Sequence, residues 1–119
     1  MRHQNYKYKI GATTSHRKAL LKNLSIELID HKKIKTTLVK TKALRIFFEK
    51  LVTLAKVDSV ANRRLAFAKL GNKTAVKRLF EEVAPKFTTR PGGYTRIVKV
   101  ADPRVGDGAK TAFISLVDV

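Results

Sequence analysis

Thr111-Ala112-Phe113-Ile114-Ser115-Leu116-Val117 carries the clearest strand signal in the chain. Ala112, Ile114 and Leu116 alternate with Phe113, Ser115 and Val117, a period-two pattern that gives a strand one strongly apolar face. A partner lies just upstream. Pro91-Gly92-Gly93 marks a turn, and Tyr94–Val100 then reads as a second strand, rich in β-branched and aromatic residues. The connection Ala101–Lys110 holds Asp102, Pro103, Gly106, Asp107 and Gly108. It is a loop, and it joins the two strands as an antiparallel pair.

Everything before Pro85 has a different rhythm. From Ser15 to about Asp30, Leu20, Leu21, Leu24, Leu28 and Ile29 recur at three- and four-residue spacing and predict an amphipathic helix, with Thr13, Thr14 and Ser15 as N-cap candidates. His31–Thr37 is short and β-branched and predicts a strand with Lys33 and Lys35 on its open face. Thr36 or Thr37 then caps a second helix to about Lys56, whose buried side is Ala43, Leu44, Phe47, Phe48, Leu51 and Leu54. Asp58 and Ser59 cap a third helix through Leu70, with Leu65 and Phe67 as its apolar residues and Gly71-Asn72 stopping it. A fourth, about Lys73–Ala84, buries Val76, Leu79, Phe80 and Val83, and Pro85 ends the helical half. The expectation is an α+β fold: about four helices packed on a small sheet of about three strands, with an extended basic N-terminal arm. The arm covers residues 1–14 and a single domain covers 15–119; 119 residues suit one core.

Charge points to the partner. The chain carries 26 Lys and Arg against 9 Asp and Glu, a net +17. Such an excess repels itself in the folded state and calls for a polyanion. Residues 1–57 hold fourteen basic and three acidic residues, residues 58–119 twelve and six, and the first carboxylate is Glu27. In the arm, Tyr6 and Tyr8 alternate with Lys7 and Lys9, pairing phosphate ligands with rings that can stack on bases. His16, Arg17 and Lys18 occupy the first turn of the first helix, where the macrodipole disfavours each cation by roughly 0.3–1 kcal/mol. A phosphate docked there reverses that sign, so residues 15–22, Lys22 included, are expected to form an anion site. Lys33, Lys35, Lys40, Lys42 and Arg45 extend the basic surface.

Other chemistries find little support. The chain has no cysteine, which removes thiol catalysis, disulfides and zinc ribbons and suits a reducing compartment. His3, His16 and His31 lie far apart in basic settings, so no metal site and no cofactor are expected. Ser15 and His16 are merely adjacent, and Glu81-Glu82 point about 100° apart on a helix, so no catalytic set is assembled and no small-molecule substrate is expected. The start is polar and no run approaches ~20 apolar residues, so neither a signal peptide nor membrane insertion is expected. A soluble intracellular nucleic-acid-binding domain fits best. A nucleoid-type or regulatory DNA-binding protein is the rival reading, although no helix pair reads as a helix-turn-helix.

Several stretches together carry a resemblance: Met-Arg-His at Met1–His3 with Ser-His-Arg-Lys-Ala at Ser15–Ala19; Ile-Lys-Thr-Thr-Leu at Ile34–Leu38 with Lys-Thr-Lys-Ala-Leu-Arg at Lys40–Arg45; Asp-Ser-Val-Ala-Asn-Arg-Arg-Leu-Ala-Phe at Asp58–Phe67; and Pro85–Ile97, which contains Gly-Gly-Tyr-Thr-Arg. Arg-Val-Gly-Asp at Arg104–Asp107 and Ile-Ser-Leu-Val at Ile114–Val117 agree with it. The chain resembles the bacterial-type large-subunit ribosomal protein family number seventeen over essentially its whole length. The resemblance implies a non-catalytic constituent of the cytoplasmic ribosome. Such a protein binds large-subunit ribosomal RNA near the outer end of the nascent-peptide tunnel, beside neighbouring large-subunit ribosomal proteins. It also implies that Arg2, His3, His16, Arg17, Lys18, Arg63, Arg64, Arg90, Tyr94, Arg96 and Arg104 face RNA. With about 6–10 phosphates contacted, affinity would fall roughly 10³–10⁵-fold between 50 and 200 mM salt.

Overall fold

A computed structural model describes residues 14–101 and 103–117. The RNA contacts expected of Arg2, His3, Lys7, Lys9 and the rest of the arm lie outside the described residues. The elements follow the order α1 (Thr14–His31), β1 (Lys33–Thr37), α2 (Leu38–Ala55), α3 (Val60–Leu70), α4 (Lys73–Arg78), a π turn (Leu79–Val83), a 3-10 turn (Ala84–Phe87), β2 (Thr95–Lys99) and β3 (Thr111–Leu116). This is the α+β architecture that the alternating C-terminal stretch predicts.

The sheet has the order β1-β3-β2, with β3 in the centre and antiparallel to both neighbours. Register places Ile34, Ile114 and Ile97 in one row across the strands, on the face turned to the helices. α2 packs along that inner face and touches all three strands. Leu28 and Ile29 of α1, Leu44, Phe48, Leu51 and Val52 of α2, Leu70 of α3, and Leu79 and Val83 of the π turn are buried around it. A row of side chains on each element thus closes one continuous core, which among the described residues leaves the opposite face of the sheet without a helical cover.

Junctions account for the local corrections. α1 ends on Lys32, which adopts the left-handed conformation (φ 65°) usually reserved for glycine. Its amide donates to Leu28 O at 2.8 Å and its ammonium to Ile29 O at 2.8 Å, so one lysine satisfies two end carbonyls and turns the chain into β1. Thr37 stands at the N-cap of α2 but its side chain makes no capping bond; the amide of Leu38 donates instead to Lys110 O at 2.9 Å, and Thr41 Oγ1 donates to Leu38 O. Ser59 does cap α3, accepting from the Asn62 amide at 3.1 Å. Asn62 Nδ2 in turn donates to Leu54 O and Val57 O, tying α3 to the end of α2.

Two helices differ from their expected form. The core-facing residues of α3 are Ala66 and Leu70, while Leu65 and Phe67 are exposed. The expected fourth helix is not one α-helix: it widens into the π turn at Leu79 and tightens into the 3-10 turn at Ala84. Pro85 lies inside that helical run, which continues to Phe87. Having no N–H, Pro85 cannot donate to Glu81 O as an α-helical residue would, and the Ala84 amide bonds Leu79 O, five residues back.

Candidate nucleic-acid interface

The uncovered face of the sheet collects several of the expected residues. Strand alternation puts Lys33 and Lys35 of β1, Phe113 and Ser115 of β3, and Arg96 and Val98 of β2 on it, paired as Lys33–Ser115–Arg96 and Lys35–Phe113–Val98 across the three strands. None of the six is buried. Lys33 Nζ stands 4.6 Å and Lys35 Nζ 5.8 Å from the centroid of the Phe113 ring, within cation–π range. At the end of this face, Lys35 and Arg104 line one shallow cleft of about 340 Å³ with Pro103, Val105 and Thr111. Arg104 is oriented by Asp107 in the tight loop, where it forms a bidentate pair through Nε and Nη2. That pair holds the Asp107 carboxyl far below the usual carboxylate range and raises the Arg104 guanidinium.

A second basic surface lies between the helices. Lys18 and Lys22 of α1 and Lys69 of α3 line a cleft of about 360 Å³ whose apolar wall is Phe47 and Ala68. Gly71 makes this possible. It ends α3 with φ 66°, and a Cβ there would stand 3.3 Å from Lys22 Nζ. His16 and Lys18 are exposed and Arg17 is half-buried on the first turns of the same helix. Lys69 escapes sequence reading because it is an isolated lysine; only the packing of α1 against α3 brings it to Lys18 and Lys22. Lys40 and Lys42 are half-buried and Arg45 is exposed on α2.

Three expected positions have other employment. Tyr94 is packed in the core: it is 1% exposed, its ring lies 5.2 Å from that of Phe87, and its hydroxyl lies 3.3 Å from Thr53 Oγ1 and 3.2 Å from Lys56 Nζ. The aromatic ring at the strand entry fills the end of the core. Arg63 forms a bidentate pair with Asp58 at 2.7 and 2.9 Å, approaches Glu81 at 3.9 Å and stands 5.1 Å over the Phe80 ring. The hydrogen-bonded carboxylate raises its guanidinium, and Arg63 lowers the Asp58 carboxyl. Its neighbour Arg64 is exposed, and both arginines line a trough with Val60, Phe67, Lys73 and Val76. Arg90 folds back on its own turn, with Nε donating to Gly93 O at 3.2 Å and its carbonyl accepting from Lys56 Nζ.

The acidic pair Glu81-Glu82 is engaged in ion pairs as well. Glu82 lies 3.8 Å from Arg78 and 3.7 Å from Lys32, and Arg78 bonds Asp30 at 2.7 Å, so the carboxylates clasp α1 to the π turn. Among the described residues no group of three or more His, Cys, Asp or Glu could hold a metal ion, and no helix is long and apolar enough to cross a membrane. A family model described as ribosomal protein L17 matches residues 20–117, from within α1 to one residue past β3.

Proposed function

Because the chain belongs to the ribosomal protein L17 family, we propose that its open sheet face and its α1–α3 cleft bind large-subunit ribosomal RNA near the outer end of the nascent-peptide tunnel. Membership makes the chain a structural protein of the large subunit of the cytoplasmic ribosome, in a family that is not one of enzymes. What supports the finer reading is one observation: three basic side chains from two strands, Lys33, Lys35 and Arg96, gather on one face that no helix covers among the described residues. Cations spread over a rigid sheet neutralise phosphates of a folded RNA and read its shape and 2′-hydroxyls in place of base edges. The tunnel position rests on the family resemblance. Neighbouring large-subunit proteins are the remaining partners.

The chain has no cysteine, so a single one can carry a probe. Ser115→Cys on the open face, tethered to iron–EDTA and assembled into large subunits, is expected to cleave ribosomal RNA locally, at sites bordering the tunnel exit. Cleavage scattered over ribosomal RNA away from the tunnel exit, or none, would overturn the assignment of this face.

A further inference from the structure

Phe113 has no place in the core. The inner face of the sheet is filled by Ile34, Ile114 and Ile97, and Phe113 stands on the other side, half-buried, in the central strand. Its direct partner Val98 is 52% exposed, so the two make an apolar floor in the middle of a basic face. Two ammonium groups lie within 6 Å of the ring centroid, and none of the side chains that strand alternation places on this face is a carboxylate. Two like charges crowded over one ring are relieved by an anion, and a ring flanked by anion ligands is the arrangement by which single-stranded nucleic acid is held.

We infer that Phe113 is a stacking seat for an unpaired base of RNA, with Lys33 and Lys35 taking the flanking phosphates. The inference rests on the RNA-binding reading above and names its ligand more narrowly. As phosphates draw the two lysines outward, the ring face is released to the base, and Val98 extends the apolar floor beside it. A base inside an A-form duplex is already stacked on its neighbours, so the seat takes a single-stranded loop or bulge. Every base has a π-face, so little sequence preference accompanies it.

The chain has no tryptophan, so Phe113→Trp places the sole indole at the seat. The full chain carrying this change is titrated with a mixed-sequence single-stranded RNA decamer and with an RNA duplex of equal length. Strong fluorescence quenching by the single strand and little by the duplex is expected. Phe113→Leu, checked for folding by thermal melting, is expected to bind the single strand about 5- to 150-fold more weakly, with an unchanged salt dependence. Absence of quenching, or wild-type affinity in Phe113→Leu, overturns the stacking seat. If ribosomal RNA still binds in that case, the wider reading stands; if the wild-type chain binds no RNA, both fall.

Discussion

Glu49 Oε2 accepts two hydrogen bonds from Thr95, one from its amide at 3.3 Å and one from its hydroxyl at 3.0 Å. A half-buried carboxylate on α2 thereby fixes the first residue of β2, and with it the aim of Arg96 on the open face of the sheet. Hydrogen bonds to charged groups contribute about 1.5–3 kcal/mol each. Glu49→Ala is expected to lower unfolding free energy by about 2–3 kcal/mol in urea titration, because the Thr95 donors lose their acceptor at a buried position. Glu49→Gln, which keeps the acceptor oxygen, is expected to cost about half as much.

Tyr94 separates the packing account from the surface one. Tyr94→Phe removes the hydroxyl near Thr53 and Lys56 and keeps the ring against Phe87. It is expected to cost about 1 kcal/mol of stability and leave RNA affinity unchanged, whereas Tyr94→Ala costs about 3–5 kcal/mol. A large affinity loss in folded Tyr94→Phe would show that the hydroxyl reaches RNA.

Ser25 lies on the buried side of α1, and its Oγ has no hydrogen-bond partner among the described residues. A buried hydroxyl without a partner carries its full desolvation cost, and alanine is the better helix former. Ser25→Ala is therefore expected to raise stability by about 1 kcal/mol, read as a higher thermal midpoint. A lower midpoint would reveal a hydrogen bond to Ser25 in solution.

Acid should loosen the Asp58–Arg63 clasp. Arg63 lowers the Asp58 carboxyl below its ordinary value of 3.8, chiefly by hydrogen bonding. A depressed carboxylate contributes stability above its unfolded value and loses that contribution as pH falls through the folded one. The stability difference between the natural chain and Asp58→Asn is thus expected to be constant near neutral pH and to shrink below about pH 4. Both groups are exposed, so the difference is small, and pH-dependent urea melts would detect its direction.

The fold is legible in the sequence where one physical rule dominates a segment. Alternation at Thr111–Val117 identifies a strand and its buried side, and Leu21, Leu24, Leu28 and Ile29 mark the core stripe of α1 because one face of a helix must be dry. α3 resists the same reading. There the small residue Ala66 faces the core beside Leu70 while the larger Leu65 and Phe67 are exposed, so side-chain size does not mark the buried face. The π turn depends on Pro85 acting through a missing donor several residues away, which periodicity does not register. At the candidate interface, Lys33 and Lys35 are readable from strand alternation. Phe113 and Lys69 are not, since their significance arises from neighbours supplied by other elements.

Cations on the open sheet face that bind phosphate set the salt dependence of RNA binding. Affinity of the full chain for deproteinised large-subunit ribosomal RNA is followed from 50 to 200 mM salt, with Lys33→Ala/Lys35→Ala/Arg96→Ala alongside. Removing one phosphate-binding cation should reduce the slope of log affinity against log salt by about 1, so the triple variant is expected to bind more weakly with a slope shallower by about 2–3. An unchanged slope and affinity in the folded variant would contradict the account, because these three cations would then face no phosphate.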